Sequence, residues 1–506
     1  MMTWRLLGVI ALAALAGLAG QGPAADAGRT PVKVVYEAWW DRHAPSGKIG
    51  WAHHRSVEET VDGVTLIRTT QRGAIKYIRS GDPYSEEDSN WSLERSDGTV
   101  VELGYRSALG KTQFLTVRGR PGSGAILLRV LGADGESSVY SAEKPWADDA
   151  LGLYAQERFL EGRRLDPGNT FSYRFFQGSL NECVSTTITV LGPQKTLVRG
   201  VERELIAARQ TFQKELYYDP ITLYIDPLTG QTVKTEEDSA TFGKVVQELV
   251  PRDVALAAYA GDVKDVEAPI EIDKPLSFRR GPPRELRVRV QHSSDDDLAT
   301  LFPQDSRQRL LGVTEEGVEL KLLARADPEA EPPAQPPPGP EFLASNFYIR
   351  SDDEQVIKHA REAVADTTAP RRQMRLIRQW VRRKVKGDYE VPFATADEVA
   401  RTLEGDCTEM GVLAAAMGRA VGIPTRVAFG LVYDPENPGF GGHLWTEAFV
   451  EGRWEIFDAT GVVHQLGAAY LKIGDYSMKD MLGPDEAVAV RRAFAGRMKV
   501  TVLEAK

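Results

Sequence analysis

The chain has 506 residues, 42% hydrophobic and 26% charged, with a formal net charge of -10 and a pI near 5.5. That length suits roughly two to four domains, with a core large enough to need neither disulfide nor metal for stability. The acidic balance lacks the basic face or stripe that nucleic-acid binding requires, so no nucleic-acid partner is expected.

Met1 to Arg5 carry one positive side chain, Arg5, and are followed by the apolar run LLGVIALAALAGLAG and, after Gln21-Gly22-Pro23, the small residues AADAG. This is the layout of a secretory signal peptide, and the apolar run falls short of the ~20 residues a membrane span needs. Cleavage after Ala27 fits the Ala25-Asp26-Ala27 pattern, so 1–27 is assigned as the signal peptide and the mature protein is expected in the periplasm or medium. An uncleaved membrane anchor is the alternative.

Residues 30–262 carry short alternating segments such as VKVVYEAWW, GVTLIRTTQ and AILLRVLG, several separated by Asp-Gly turns. They predict an antiparallel β-rich domain. Helical spacing in ADDALGLYAQERFLEG predicts a helix over 147–162. In the stretch ITLYIDPLTGQTVKTEED, Asp226-Pro227 and Gly230 turn one strand into the next. Residues 263–325 read as a further β-rich extension, with RELRVRVQ and GVELKLLA as strands. The Pro-rich acidic stretch 326–342 reads as an extended linker.

Beyond it the period becomes helical. Ser351-Asp352-Asp353-Glu354 starts a helix through EQVIKHAREAVA. RRQMRLIRQWVRRKVKG predicts a second, with Met374, Ile377, Trp380, Val381 and Val385 on one face. Its arginines read as a solvated face, or as a patch that would orient the protein against an anionic membrane surface. ADEVARTLE is a third, short helix.

The segment EGDCTEMGVLAAAMGRA places Cys407 at the start of a fourth helix. Helix dipole and first-turn N–H groups there favour a thiolate, or an oxyanion formed on a substrate carbonyl. A thiolate nucleophile needs an imidazole as base and acid, and a third group to orient the imidazole. His443 heads the strand HLWTEAFV, Glu451-Gly452 makes a hairpin turn, and RWEIFDAT returns antiparallel, bringing Asp458 back towards His443. Cys407, His443 and Asp458 are therefore the candidate catalytic residues.

This segment resembles the transglutaminase-like superfamily, in particular its secreted bacterial members. The matching residues are Gly405-Asp406-Cys407-Thr408-Glu409, Arg419 followed by Gly422-Ile423-Pro424-Thr425-Arg426, His443-Leu444-Trp445-Thr446-Glu447, and Trp454 with Asp458. The resemblance implies Cys407 as nucleophile, His443 as general base and acid, and Asp458 as orienting carboxylate. It implies an α+β, papain-like catalytic domain over 346–465, placed after the N-terminal antiparallel β-rich domain and followed by a helix/strand extension over 466–506. Met410 and Leu444 depart from common family residues without touching the triad. Tyr389 and Trp445 are candidate substrate-binding residues, Tyr389 also as a second oxyanion donor. No cofactor is expected, and no metal site: Asp295-Asp296-Asp297 lacks flanking ligand spacing.

A disulfide between Cys407 and Cys183, the other cysteine, is the main structural alternative. The expected activity is cysteine-dependent acyl transfer on peptide or carboxamide bonds through a thioester, with a protein or peptide as substrate. The contrasting reading is a non-catalytic binding or scaffolding module of the cell envelope. Oligomeric state cannot be read from the sequence.

Overall fold

The computed structural model describes residues 33–506 except 62, 80–81, 110–112, 133–134, 179, 214–219, 240–241, 258–269, 278–280, 293–297, 326–337, 389–392, 436–437, 461–466 and 480–497. The assigned signal peptide, the Asp295-Asp296-Asp297 run, most of the Pro-rich stretch and Tyr389 lie outside the described residues. Among those described, no helix is long and apolar enough to cross a membrane.

From Val34 to Val250 the chain forms one fifteen-stranded sheet. Alternation drives it: in Ala125–Leu131, Ile126, Leu128 and Val130 are fully buried while Arg129 points outward. Two meanders of sequential hairpins join where Val34–Ala44 pairs antiparallel with Gly243–Val250. A bridge between Thr99 and Leu151 brings the edge strand Ala150–Leu151 back onto the other meander, so the sheet curls on itself.

The helix expected over 147–162 is cut to Leu153–Glu157. Residues 150–151 are spent on an edge strand paired with Thr170–Gln177. Glu94 fixes where the helix begins by accepting from the backbone N–H groups of Tyr154 (2.9 Å) and Ala155 (3.1 Å). Glycine at 152 leaves room for that acceptor, since a Cβ there would lie 2.5 Å from the Glu94 carboxyl group and displace it.

The second half is built in layers. Its central sheet runs Ile270–Glu271, Gly439–Val450, Thr425–Asp434, Tyr470–Tyr476, with Arg453–Ile456 added alongside Gly439–Val450. Four helices, Glu354–Val364, Pro370–Lys384, Ala396–Thr402 and Cys407–Ala420, share one apolar core with Val427, Leu444 and Ala448 of that sheet. As the spacing predicts, Met374, Ile377, Trp380, Val381 and Val385 of the second helix are buried in it. The alternate residues Ala428, Leu431 and Trp445 share a second core with a four-stranded sheet, Gln308–Thr314, Gly317–Leu323, Glu285–Gln291 and Lys499–Ala505.

Two expected boundaries change here. The extension 263–325 is not a separate unit: Ile270 pairs with Phe440, and Leu286, Val288 and Val290 bury against the central sheet's second face. Nor does the segment expected over 346–465 stop there, because Tyr470–Tyr476 pairs with Thr425–Asp434 inside its sheet. In both cases strands with one apolar side needed a partner layer, and that layer lies far along the chain.

Candidate active site

The cysteine helix begins at Cys407 for a local reason. Asp406 caps it by accepting from Thr408 N–H at 2.8 Å, and Glu409 answers by accepting from Asp406 N–H at 3.0 Å, a reciprocal capping box. Glu409 also accepts from Ala394 N–H at 2.9 Å, which ties the preceding loop to the same turn. Burial and the neighbouring Asp406 push the Glu409 carboxyl well above the usual range. Gly405, at φ 144°, leaves the space that the Glu409 side chain fills: a Cβ there would lie 2.3 Å from it.

The helix lies along the histidine strand Gly439–Val450 in a fixed register. Thr425 Oγ1 donates to Ala415 O (2.7 Å), and Thr425 is the cross-strand neighbour of Ala448. One helical turn earlier, Thr446 Oγ1 donates to Gly411 O (2.7 Å). Each turn of about 6 Å thus advances about two strand residues. One turn earlier again, Cys407 falls at the level of Leu444 and His443, and it shares an apolar cluster with Leu444. Gly411 permits the close approach, since a Cβ on it would meet Leu444 at 2.4 Å. The departure at Leu444 is therefore matched by a glycine opposite.

His443 and Asp458 come together as expected. His443 Nε2 lies 2.8 Å from Asp458 Oδ2, with both side chains buried. The hairpin that joins them turns at Glu451 and Gly452, both at positive φ (52° and 79°), and pairs Val450 with Arg453. With Nε2 held by Asp458, Nδ1 is the ring nitrogen left to serve a thiol.

Asp458 accepts four hydrogen bonds: from His443, from Tyr470 Oη (2.8 Å), and from Thr460 N–H (2.8 Å) and Oγ1 (2.6 Å). Burial alone would raise its carboxyl pKa. The His443 charge and these donors outweigh that and hold it below the usual range. Burial and Asp458 push the Tyr470 phenol far up, so it stays a donor.

Trp445 is not a substrate platform. It is 1% exposed, packed between His443 (ring centroids 6.0 Å) and Tyr470 (5.4 Å), and its Nε1 donates to Glu447 Oε1 at 3.3 Å. By alternation Trp445 lies on the same face of the strand as His443, turned into the second core. Beneath it lies a buried charge network. Glu447 takes Arg426 (2.7 Å) and Lys472 (3.2 Å); Arg426 also pairs with Asp475 (2.7 Å), and Lys472 with Asp305 and Asp475. Burial opposes ionisation of Glu447, but the two cations pull its carboxyl down to about 2.

Arg419, the other motif arginine, is architectural. Its guanidinium donates to the carbonyls of Ala344, Thr425 and Ser477 at 2.7–2.9 Å, and burial lowers its pKa to about 10.

Tyr470 and Lys472 were missed because their strand pairs with Thr425–Asp434 on the edge away from the hairpin, and no local motif announces it. Neither cysteine is in a disulfide. Cys183 instead accepts from Ala147 N–H at 3.4 Å in the N-terminal domain, and burial raises its thiol pKa. Among the described residues, no group of three or more His, Cys, Asp or Glu is arranged to hold a metal ion.

Residues 357–459 match the model of the Transglutaminase-like superfamily, so this segment is a transglutaminase-like domain. Among solved structures, a protein described as "Putative Cysteine Protease from Cytophaga hutchinsonii" is 18% identical over 44% of this chain and 86% of its own, at a TM-score of 0.28. A beta-barrel-like protein from Brucella abortus, of a domain of unknown function, is 9% identical over 42% and 94%, at 0.30. A protein described as "Putative Protease from Parabacteroides distasonis" is 10% identical over 74% and 68%, at 0.19. These likenesses are too distant to bear on function. Among curated proteins, none matches the chain.

Proposed function

We propose that this protein is an exported, cysteine-dependent acyl-transfer enzyme with a papain-like site, acting on peptide or carboxamide bonds. The observation that carries the reading is the His443–Asp458 hydrogen bond, with His443 on the strand along which the Cys407 helix is registered. The signal-like N-terminal sequence supports the export part of the reading.

In this mechanism Cys407 Sγ, as thiolate, attacks the carbonyl carbon, and the oxyanion forms at the positive end of the helix. His443 delivers a proton from Nδ1 to the departing amine, the C–N bond breaks and a thioester remains. His443 then takes a proton from an incoming water or amine, which attacks the thioester. Collapse releases the acid or the new amide and restores the thiolate. Asp458 keeps the ring oriented and stabilises the imidazolium without taking its proton. Peptide or amide hydrolysis is favoured over amine transfer.

The test is alkylation of Cys407 by iodoacetamide as a function of pH in the wild type, Cys407→Ala and His443→Ala. Rapid labelling of Cys407 below pH 7 that slows in His443→Ala is the expected result. A thiol that titrates near the ordinary value of about 8.5 overturns the reading and favours a binding module.

A further inference from the structure

From sequence the arginines of Pro370–Lys384 read as a solvated face or as a patch for an anionic membrane surface. The structure treats them unequally. Arg371, Arg375, Arg378 and Arg382 recur at i, i+4, i+7 and i+11, which puts them in an arc of about 60° on the helix surface. This arc is distinct from the buried face of Met374, Ile377, Trp380 and Val381.

One end of the row is anchored. Arg371 grips Glu455 with two hydrogen bonds (2.5 and 3.1 Å) and Glu451 at 2.9 Å, which pins this side of the helix to the hairpin carrying Asp458. Seven residues further along the helix is about 10 Å, and three residues beyond Glu455 in extended chain is also about 10 Å. From the Arg371 anchor, the row's spacing thus matches that of the chain from Glu455 to Asp458, which brings Arg378 to the level of Asp458. Burial lowers the pKa of the Arg378 guanidinium; the charge of Asp458 opposes this, and the neighbouring Arg382 and Arg375 add to it.

Beyond Arg371 the row has cations without anions. Among the described residues, Arg375, Arg378 and Arg382 make no ion pair, and Asp458 is already saturated by four donors. Arg375 and Arg382 are exposed, whereas Arg378, nearest the triad, is half-buried. A flat anionic surface would meet the exposed pair and miss the recessed member. A narrow anionic group entering beside the site would meet all three.

We propose that Arg375, Arg378 and Arg382 form a carboxylate subsite beside the catalytic pair, selecting acidic peptides whose Asp or Glu side chain or terminal carboxylate flanks the bond attacked by Cys407. The planar guanidinium fork suits a carboxylate, and the peptide substrate class rests on the reading above.

The experiment needs no knowledge of the natural substrate. Cys407 is alkylated with iodoacetate and, separately, with iodoacetamide, which differ by a carboxylate in place of an amide. The ratio of the two rates is compared between variants, so that changes in the thiol itself cancel. The expected result is that the ratio falls about three- to tenfold in Arg378→Gln, less in Arg378→Lys, and that added salt lowers it in the wild type. Arg372→Gln, on another face of the helix, leaves the ratio unchanged. Equal ratios in wild type, Arg378→Gln and the Arg375→Gln/Arg378→Gln/Arg382→Gln triple variant overturn the subsite. This holds even if pH-dependent iodoacetamide labelling still supports the enzyme reading. Salt-sensitive binding to phosphatidylglycerol vesicles that is lost in the triple variant, with the ratio unaltered, also overturns it and makes the row a membrane contact. A ratio that responds as expected on a thiol titrating in the ordinary range keeps the subsite and removes the catalytic reading.

Discussion

The sheet of Val34–Val250 and the second half of the chain, which contains the transglutaminase-like segment, use similar strands but hold them differently. In the sheet, most pairings are hairpins between consecutive strands, and the apolar residues fall into five small clusters. In the other half, two large clusters join segments distant in sequence, and charges sit deep between them: Glu447, Arg426, Lys472 and Asp458 are all buried. A ladder of local hairpins spreads its stability over many small contacts. A buried network concentrates it in a few residues whose partners cannot be replaced by water.

That contrast can be broken or sharpened by experiment. The largest effect is expected at the proposed nucleophile. Cys407→Ala should lower turnover by at least on the order of a thousandfold, with circular dichroism unchanged; retained turnover would relocate the chemistry. Next comes the network. Glu447→Gln leaves Arg426 and Lys472 short of a counter-charge and should cost about 3–5 kcal/mol in urea unfolding; a cost below about 1 kcal/mol would show that the buried charges are not coupled. The same group sets a pH dependence. Its folded pKa, about 2, lies below the ordinary 4.5. Its stabilisation is therefore complete above pH 4.5 and is lost as pH falls towards 2. Wild type should lose more stability than Glu447→Gln across that window; parallel curves would contradict the assignment.

In the N-terminal sheet the effects are smaller and do not reach the thiol. Glu94→Ala strands the helix-start N–H groups of Tyr154 and Ala155 and should cost about 2 kcal/mol. The alkylation profile of Cys407 should not move; if it does, the two halves are coupled. The smallest change belongs to the surface pair Lys195–Glu202, with side chains 69% and 61% exposed. Removing it should shift stability by less than about 0.5 kcal/mol, and a larger shift would mean that sheet depends on its rim charges.

What could be read beforehand follows the range of the interactions. The start of the cysteine helix and the hairpin turn at Glu451-Gly452 are encoded locally, so the placement of Cys407 at a helix start and of Asp458 beside His443 was legible. The arginine helix was legible from its apolar face. Tyr470 was not, because it meets Asp458 only after its strand joins the sheet's other edge. For Trp445 the sequence leaves cleft wall and core both open, since an aromatic beside a histidine suits either, and the second layer supplied by Glu285–Gln291 and its neighbours places it in the core.

The strand Lys499–Ala505 pairs with Glu285–Gln291, and Leu286 meets Ala505 more than two hundred residues away. That contact encloses the helices, the hairpin and Tyr470. The entropy of closing such a loop rises only slowly with length, but the search for it is slow, since topology dominated by distant pairings lengthens folding. The local helices can form in microseconds, while the layer that buries Trp445 and backs His443 must wait for both ends of the half to meet. During refolding, thiol activation should lag behind helix formation, and the delay would time the closing of that last pair of strands.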